Sequence, residues 1–233
     1  MQVAPVRLNT GVAASFAIGA SLFALGSIPP YINAVGASAD AATYAVGSIF
    51  FTLAAFGQLV QAQDPSLVDV TAETQHRPVP VPRWRYRPHD RGWAAAASQF
   101  PGTVFFNVST FLALVHNATA AQTDQHVWRP DVYGSVLFLV ASTFGILAVG
   151  RVRDLRPRSG AWWAAWLNMV GSIAFMASAI GSYVIPSTDE LLDAPVAVYG
   201  TLLGAVCFLL GALLLPLAWR QDLRARLVPT PGT

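Results

Sequence analysis

The sequence predicts an all-α integral membrane protein of six transmembrane helices, arranged as three parallel helical-hairpin repeats. Three observations carry that expectation. The chain of 233 residues is 54% hydrophobic and only 11% charged, with a mean hydropathy of +0.49, whereas soluble domains are about 25% charged. It contains six apolar segments, each near the ~20 residues that a bilayer-crossing helix needs. And each segment holds one copy of the pattern Gly-small-x-x-Phe-x-x-small: Gly19 to Gly26, Gly47 to Ala54, Gly102 to Ser109, Gly134 to Ala141, Gly171 to Ser178 and Gly204 to Gly211.

The fifth positions of these copies are Phe23, Phe51, Phe106, Phe138, Phe175 and Phe208. On a helix, residues four and seven apart share a face. The six glycines, Gly19, Gly47, Gly102, Gly134, Gly171 and Gly204, are therefore each expected beside an aromatic knob, a surface suited to close helix contact.

The elements follow in order. Residues 1–62 form the first repeat, with spans over 10–32 and 42–61. Thr10 to Ile28 is apolar and meets Pro29-Pro30, which cannot continue a helix. A signal peptide is the alternative for this segment, with Arg7 as its basic region and Ala37-Ser38-Ala39 as a cleavage site; the motif inside it argues for retention. Residues 63–92 are a polar loop rich in proline and arginine. Its Pro-x-Pro-x-Pro run favours extended chain, and Arg83, Trp84, Arg85, Tyr86 and Arg87 interleave cations with aromatics. Anionic lipid headgroups are the expected partner of that strip, an acidic protein the alternative.

Residues 93–150 form the second repeat, with spans over 93–116 and 132–149. Residues 151–219 form the third, with spans over 161–184 and 194–219, and 220–233 are a tail. All 14 basic residues are arginine, which fits a bacterial genome of high GC content better than nucleic-acid binding. Thirteen of them lie in the head, the tail and the connections after spans two and four, leaving Arg129 alone in the other connections. The positive-inside rule then places both termini in the cytoplasm of a bacterial plasma membrane.

The Gly-Ser-x-x-Phe hairpin, as in Gly47-Ser48-Ile49-Phe50-Phe51, Gly134-Ser135-Val136-Leu137-Phe138 and Gly171-Ser172-Ile173-Ala174-Phe175, resembles the YrhK-like domain of bacterial membrane proteins. The resemblance implies a two-helix unit of unassigned function and brings no catalytic residues. It is best over the first hairpin. Asn107 in the third segment and Ala205 in place of Ser in the sixth depart from it.

Asn107, Ser109, Thr110, Ser142 and Asn168 place polar groups inside apolar segments, and Gln99 lies near the end of one. Such side chains either line a functional path or hydrogen-bond between helices, and interhelical bonding is the expectation. His116, Asp124 and His126 are possible zinc ligands on one connection, but the spacing matches no compact metal motif. Asn117-Ala118-Thr119 has the form of a glycosylation sequon, taken as coincidental in a bacterial chain. Cys207 is the sole cysteine, which excludes an internal disulfide. No phosphate loop, Gly-x-Ser-x-Gly elbow or dinucleotide fingerprint occurs, so no cofactor is expected.

Two functions fit. The first is a non-enzymatic structural or complex-forming subunit, associating with a membrane protein or with its own copies. The second is a channel or facilitator for a small uncharged solute. A proton-driven pump needs a titrating group within the membrane, and the acidic residues fall in connections or at span edges. Purified protein in liposomes is therefore expected not to accumulate solute against a gradient when a pH difference is imposed; uphill uptake abolished by a protonophore would contradict this.

Overall fold

Proline and glycine set the boundaries of the first elements. Pro5 opens helix α1 (Pro5–Gly26), at a position where its missing N–H costs nothing. Pro29 opens a second, short helix, α2 (Pro29–Val35), and Gly36, at φ +83°, ends it and starts α3 (Ala37–Gln61). The proline pair thus ends one helix and begins another. The computed structural model describes residues 2–64, 67–68, 78–80, 83–115, 123–150, 156 and 158–227.

The remaining helices are α4 (Arg91–Val115), α5 (Arg129–Val149), α6 (Gly160–Gly181) and α7 (Ala194–Leu227). A π-helical turn, Asp124–Trp128, leads into α5 and is held by an Arg129–Asp124 ion pair of 2.8 Å. Ser159 caps α6 by accepting the backbone N–H of Trp162. Strand β1 (Gln2–Val3) pairs antiparallel with β2 (Val79–Pro80), so part of the proline-rich run is extended, as its composition requires, and is tied to the start of the chain. A second antiparallel pair, β3 (Val184–Ile185) with β4 (Glu190–Leu191), forms the turn between α6 and α7.

Among the described residues there are seven α-helices, and five helical segments are long and apolar enough to cross a membrane: Pro5–Gly26, Ala37–Gln61, Asp124–Val149, Gly160–Gly181 and Ala194–Gln221. The protein is a helical multi-pass membrane protein. This corrects the expectation of six transmembrane helices in three hairpin repeats. The helix that falls short is α4: it has the length, but Arg91, Gln99, Pro101 and Asn107 lower its hydropathy. The short helix α2 between α1 and α3 also has no counterpart in the expected hairpins.

The six long helices close a ring. Each packs against its neighbour in the order α1, α3, α4, α5, α6, α7, and α7 returns to α1. Consecutive helices α1/α3, α4/α5 and α6/α7 meet through the repeated motif, in a reciprocal arrangement. A Cβ added at Gly19 would lie 2.9 Å from the carbonyl oxygen of Gly47 and 3.1 Å from the ring of Phe51, while one at Gly47 would meet Phe23 at 2.8 Å. Gly102 and Gly134 face Phe138 and Phe106 in the same way, and Gly171 and Gly204 face Phe208 and Phe175. The second residue of every copy, Ala20, Ser48, Thr103, Ser135, Ser172 and Ala205, is 0% exposed. Each glycine receives the partner's phenylalanine.

All six phenylalanines turn into the ring and form one cluster. Phe23, Phe106 and Phe175 are linked by centroid distances of 6.0 and 5.9 Å, and Phe51, Phe138 and Phe208 by 5.9 and 5.6 Å. The pairs Phe23–Phe51, Phe106–Phe138 and Phe175–Phe208, at 5.3, 5.0 and 5.1 Å, join the two triplets. Phe138 is 1% exposed. The core therefore sits in the lumen of the ring.

Two glycines of one helix test this packing. Gly19→Ala drives a methyl group against the backbone of α3, which cannot yield without separating the helices, and is expected to lower unfolding free energy in detergent by about 1–3 kcal/mol. Gly11, beside which a Cβ would meet nothing within 4 Å, provides the control: Gly11→Ala should be neutral or stabilising by up to about 1 kcal/mol. Equal losses for both would contradict the interlock.

Candidate functional site

On one side of the phenylalanine cluster the lumen is not filled. Small residues leave the space: Ala95 and Ala96 on α4, Gly145 on α5, Ala164 and Ala165 on α6, and Gly211 on α7 all border a cavity of about 440 Å³. Phe16 and Phe208 lie at the cluster end of the cavity, and Gln61, Trp93, Val149 and Ala218 belong to the opposite, helix-end side. A cavity of this size lies within the ~300–1,000 Å³ typical of ligand sites.

Four of the polar groups on its wall are neutral carboxamides. Gln58 and Gln61 come from α3, Gln99 from α4 and Asn168 from α6. Gln61 donates its amide N–H to Asn9 Oδ1 at 2.9 Å, and Asn168 donates to Ser142 Oγ at 3.0 Å. Gln99 is 7% exposed, and no side-chain hydrogen bond engages it among the described residues. The indole N–H of Trp93 is likewise buried, with no acceptor among the described residues. Two charged residues border the cavity, Arg87 and Asp90, and they neutralise each other at 3.1 Å.

A strap lies at the helix-end side. Arg87 Nη1 donates to the carbonyl of Ala62 at 3.3 Å, and the backbone N–H of Arg85 donates to Gln63 Oε1 at 2.9 Å. Trp84 packs on Phe56, and Tyr86 edge-on to Trp93. Of the strip assigned to headgroups from the sequence, Trp84 and Tyr86 are 59% and 82% exposed and Arg83 and Arg85 are exposed, while Arg87 turns back to the protein. Farther along, Trp219 Nε1 donates to the carbonyl of Val68.

The intramembrane polar residues singled out from the sequence lie mostly elsewhere. Asn107 Nδ2 donates to Thr52 Oγ1 at 2.8 Å, and Thr110 shares a hydrogen bond of 2.9 Å with Ser48, so both join α4 to α3. Ser109 donates to the carbonyl of Val127 in the π-helical turn. Ser142 and Ser172 share a bond of 2.7 Å and, with Asn168, join α5 to α6. Asn168 and Gln99 belong to both this set and the cavity wall. A continuous polar stripe formed by Asn107, Ser109, Thr110 and Ser142 does not occur.

The possible zinc set is not brought together among the described residues. His116 and the sequon 117–119 lie outside the described residues, Asp124 is paired with Arg129, and among the described residues no group of three His, Cys, Asp or Glu side chains could hold a metal. Cys207 is buried and free. Sequence reading passed over Gln58 and Gln61. Their spacing, three apart at the end of an apolar helix, was the available signal, together with the small residues at the corresponding ends of α4, α6 and α7.

No family model, curated protein or solved structure matches this chain. The likeness to YrhK-like hairpins rests on the motif alone.

The Ser142–Asn168 tie is testable apart from the cavity. In a double-mutant cycle, Ser142→Ala and Asn168→Ala should couple by about 0.6 kcal/mol and by no more than about 1.7 kcal/mol, whereas Ser142→Ala and Asn107→Ala, which share no partner, should add. Strict additivity in the first pair would remove the tie.

Proposed function

We propose that the protein is a facilitator for a small uncharged solute, with the phenylalanine cluster as its closed barrier. One observation carries the reading: a cavity lined by all six helices of the ring and open to the outside, which reaches Phe208, a member of the cluster. A hydrophobic constriction blocks permeation by excluding water, and it opens when its rings part. The neutral wall favours an uncharged solute, since an ion stripped of water finds carboxamides and an internally satisfied ion pair instead of a counter-charge.

Asn107, Ser109, Thr110 and Ser142, the side chains a facilitator is expected to place along one cavity, bond between helices instead. The reading is preferred to a structural subunit because the Gly-Phe faces close on one another inside the ring and are not left for a partner. The helix-end side of the cavity adjoins Arg85, Arg87 and Arg91, which by the positive-inside rule favours a cytoplasmic opening in a bacterial plasma membrane. No chemical step is invoked.

Stopped-flow shrinking of proteoliposomes in glycerol or urea tests the proposal. Phe138→Ala and Phe208→Ala should raise solute permeability well above the parent protein, while Phe138→Leu should leave it low. Thermal unfolding of each variant checks that the ring persists, since Phe-to-Ala changes in a packed core cost about 3–5 kcal/mol. Folded Ala variants no more permeable than empty liposomes would overturn the facilitator reading.

A further inference from the structure

The cavity wall also specifies a ligand. Gln99 is more than nine-tenths buried, borders the cavity and has no hydrogen-bond partner among the described residues. Gln58, on the neighbouring helix α3, borders the same space, also without a side-chain hydrogen bond among the described residues. A primary amide offers two donors and one acceptor, and a cavity ligand that displaces solvent from it without matching them loses affinity. The wall thus holds unused capacity of both kinds. Toward the cluster the surroundings change: Phe16, Phe208, Ala141, Ala212 and Leu215 are apolar.

We propose that this cavity binds a neutral amphiphile, with a ring-sized apolar body seated against Phe16 and Phe208 and a carboxamide-like head, one donor and one acceptor, bonded to Gln99. This deepens the facilitator reading by naming the solute class that the site selects. A hydroxyl-free hydrocarbon leaves the Gln99 amide unmatched. A carboxylate places its charge among neutral groups, with Arg87 already engaged by Asp90 and by the Ala62 carbonyl. An amidinium fares no better, because Asp90, the one acid among the described residues of the wall, is taken by Arg87.

Equilibrium binding to the full chain in nanodiscs, corrected for empty nanodiscs, tests this with four probes of one shape: 2-naphthamide, 2-naphthoate, 2-naphthamidinium and 2-methylnaphthalene. Naphthamide should bind saturably, one per chain, with the two ions at least about tenfold weaker. Gln99→Leu, of similar volume, should weaken naphthamide about tenfold and leave methylnaphthalene unchanged or tighter. Ala164→Leu, which fills the cavity from α6, should remove both, and an unchanged melting temperature in either variant shows that the ring is intact.

Equal binding of the amide and the ions, or naphthamide affinity indifferent to Gln99→Leu and Ala164→Leu, overturns the assignment. The result separates from the permeability test. Saturable, Gln99-dependent binding with impermeable Phe variants keeps the site and rejects the facilitator; permeable Phe variants without that binding reject the site and keep the facilitator.

Discussion

The structure depends on the approach of two backbones at a pair of glycines. In lipid there is little hydrophobic drive to bring apolar helices together, so association rests on close packing and interhelical hydrogen bonds. At Gly19 and Gly47 the space a side chain would take is held by a carbonyl oxygen and a phenyl ring of the facing helix. The same arrangement recurs at Gly102/Gly134 and Gly171/Gly204. Because each glycine accepts the partner's phenylalanine, close approach and inward projection of the rings are one event. Six rings brought inward by three such contacts then touch one another, at about 0.5–1.5 kcal/mol per aromatic pair beyond area burial.

The joints between these pairs use different chemistry. Asn107–Thr52 and Ser48–Thr110 join α3 to α4, and Ser142, Asn168 and Ser172 join α5 to α6. The glycine pairs carry hydrogen bonds as well, Gln61–Asn9 between α1 and α3 and Ser178–Thr201 between α6 and α7, but among the described residues they alone hold the reciprocal glycine contacts. The lumen face has room where alanine and glycine line α4, α5, α6 and α7. The cavity is a product of ring closure, and no single pair contains it.

That origin explains what the sequence made legible. The motif glycines and phenylalanines stand on shared helix faces, a local property of spacing, and so a packing face was readable, but the insertion of each phenylalanine against the glycine of the facing helix was not. Asn107, Thr110, Ser142 and Asn168 had to find partners in an apolar setting, and interhelical bonding followed. The count of spans was less legible. Pro29-Pro30 ends α1, but proline is also well suited to the first turn of a helix, and α2 begins there. In α4 the polar side chains Gln99 and Asn107 lower the hydropathy of a helix that the ring nonetheless accommodates. The cavity was least legible of all, because it is empty space bounded by residues far apart in the chain, such as Phe16, Gln99 and Leu215, which only the contact of α7 with α1 brings around one axis.

The two ends of the ring are built unequally, and this bears on where movement can begin. At the end away from the cavity, Tyr44 shares a hydrogen bond of 2.9 Å with Ser27 and stacks edge-on with Phe23, while Tyr31 of α2 is bonded to Thr43 at 2.7 Å. Gly26 lies so close to Tyr44 that an added Cβ would meet its ring at 2.7 Å. Opening there requires α1 and α3 to part, against both sterics and bonds. At the cavity end the restraints are of another kind: Arg87 to the Ala62 carbonyl, Arg85 to Gln63, and Trp84 on Phe56. Those contacts belong to a strap outside the helices and can release without disturbing a glycine joint. On the facilitator reading proposed above, access from the strap side would be a loop rearrangement, whereas passage beyond the phenylalanines would need a shift of helices.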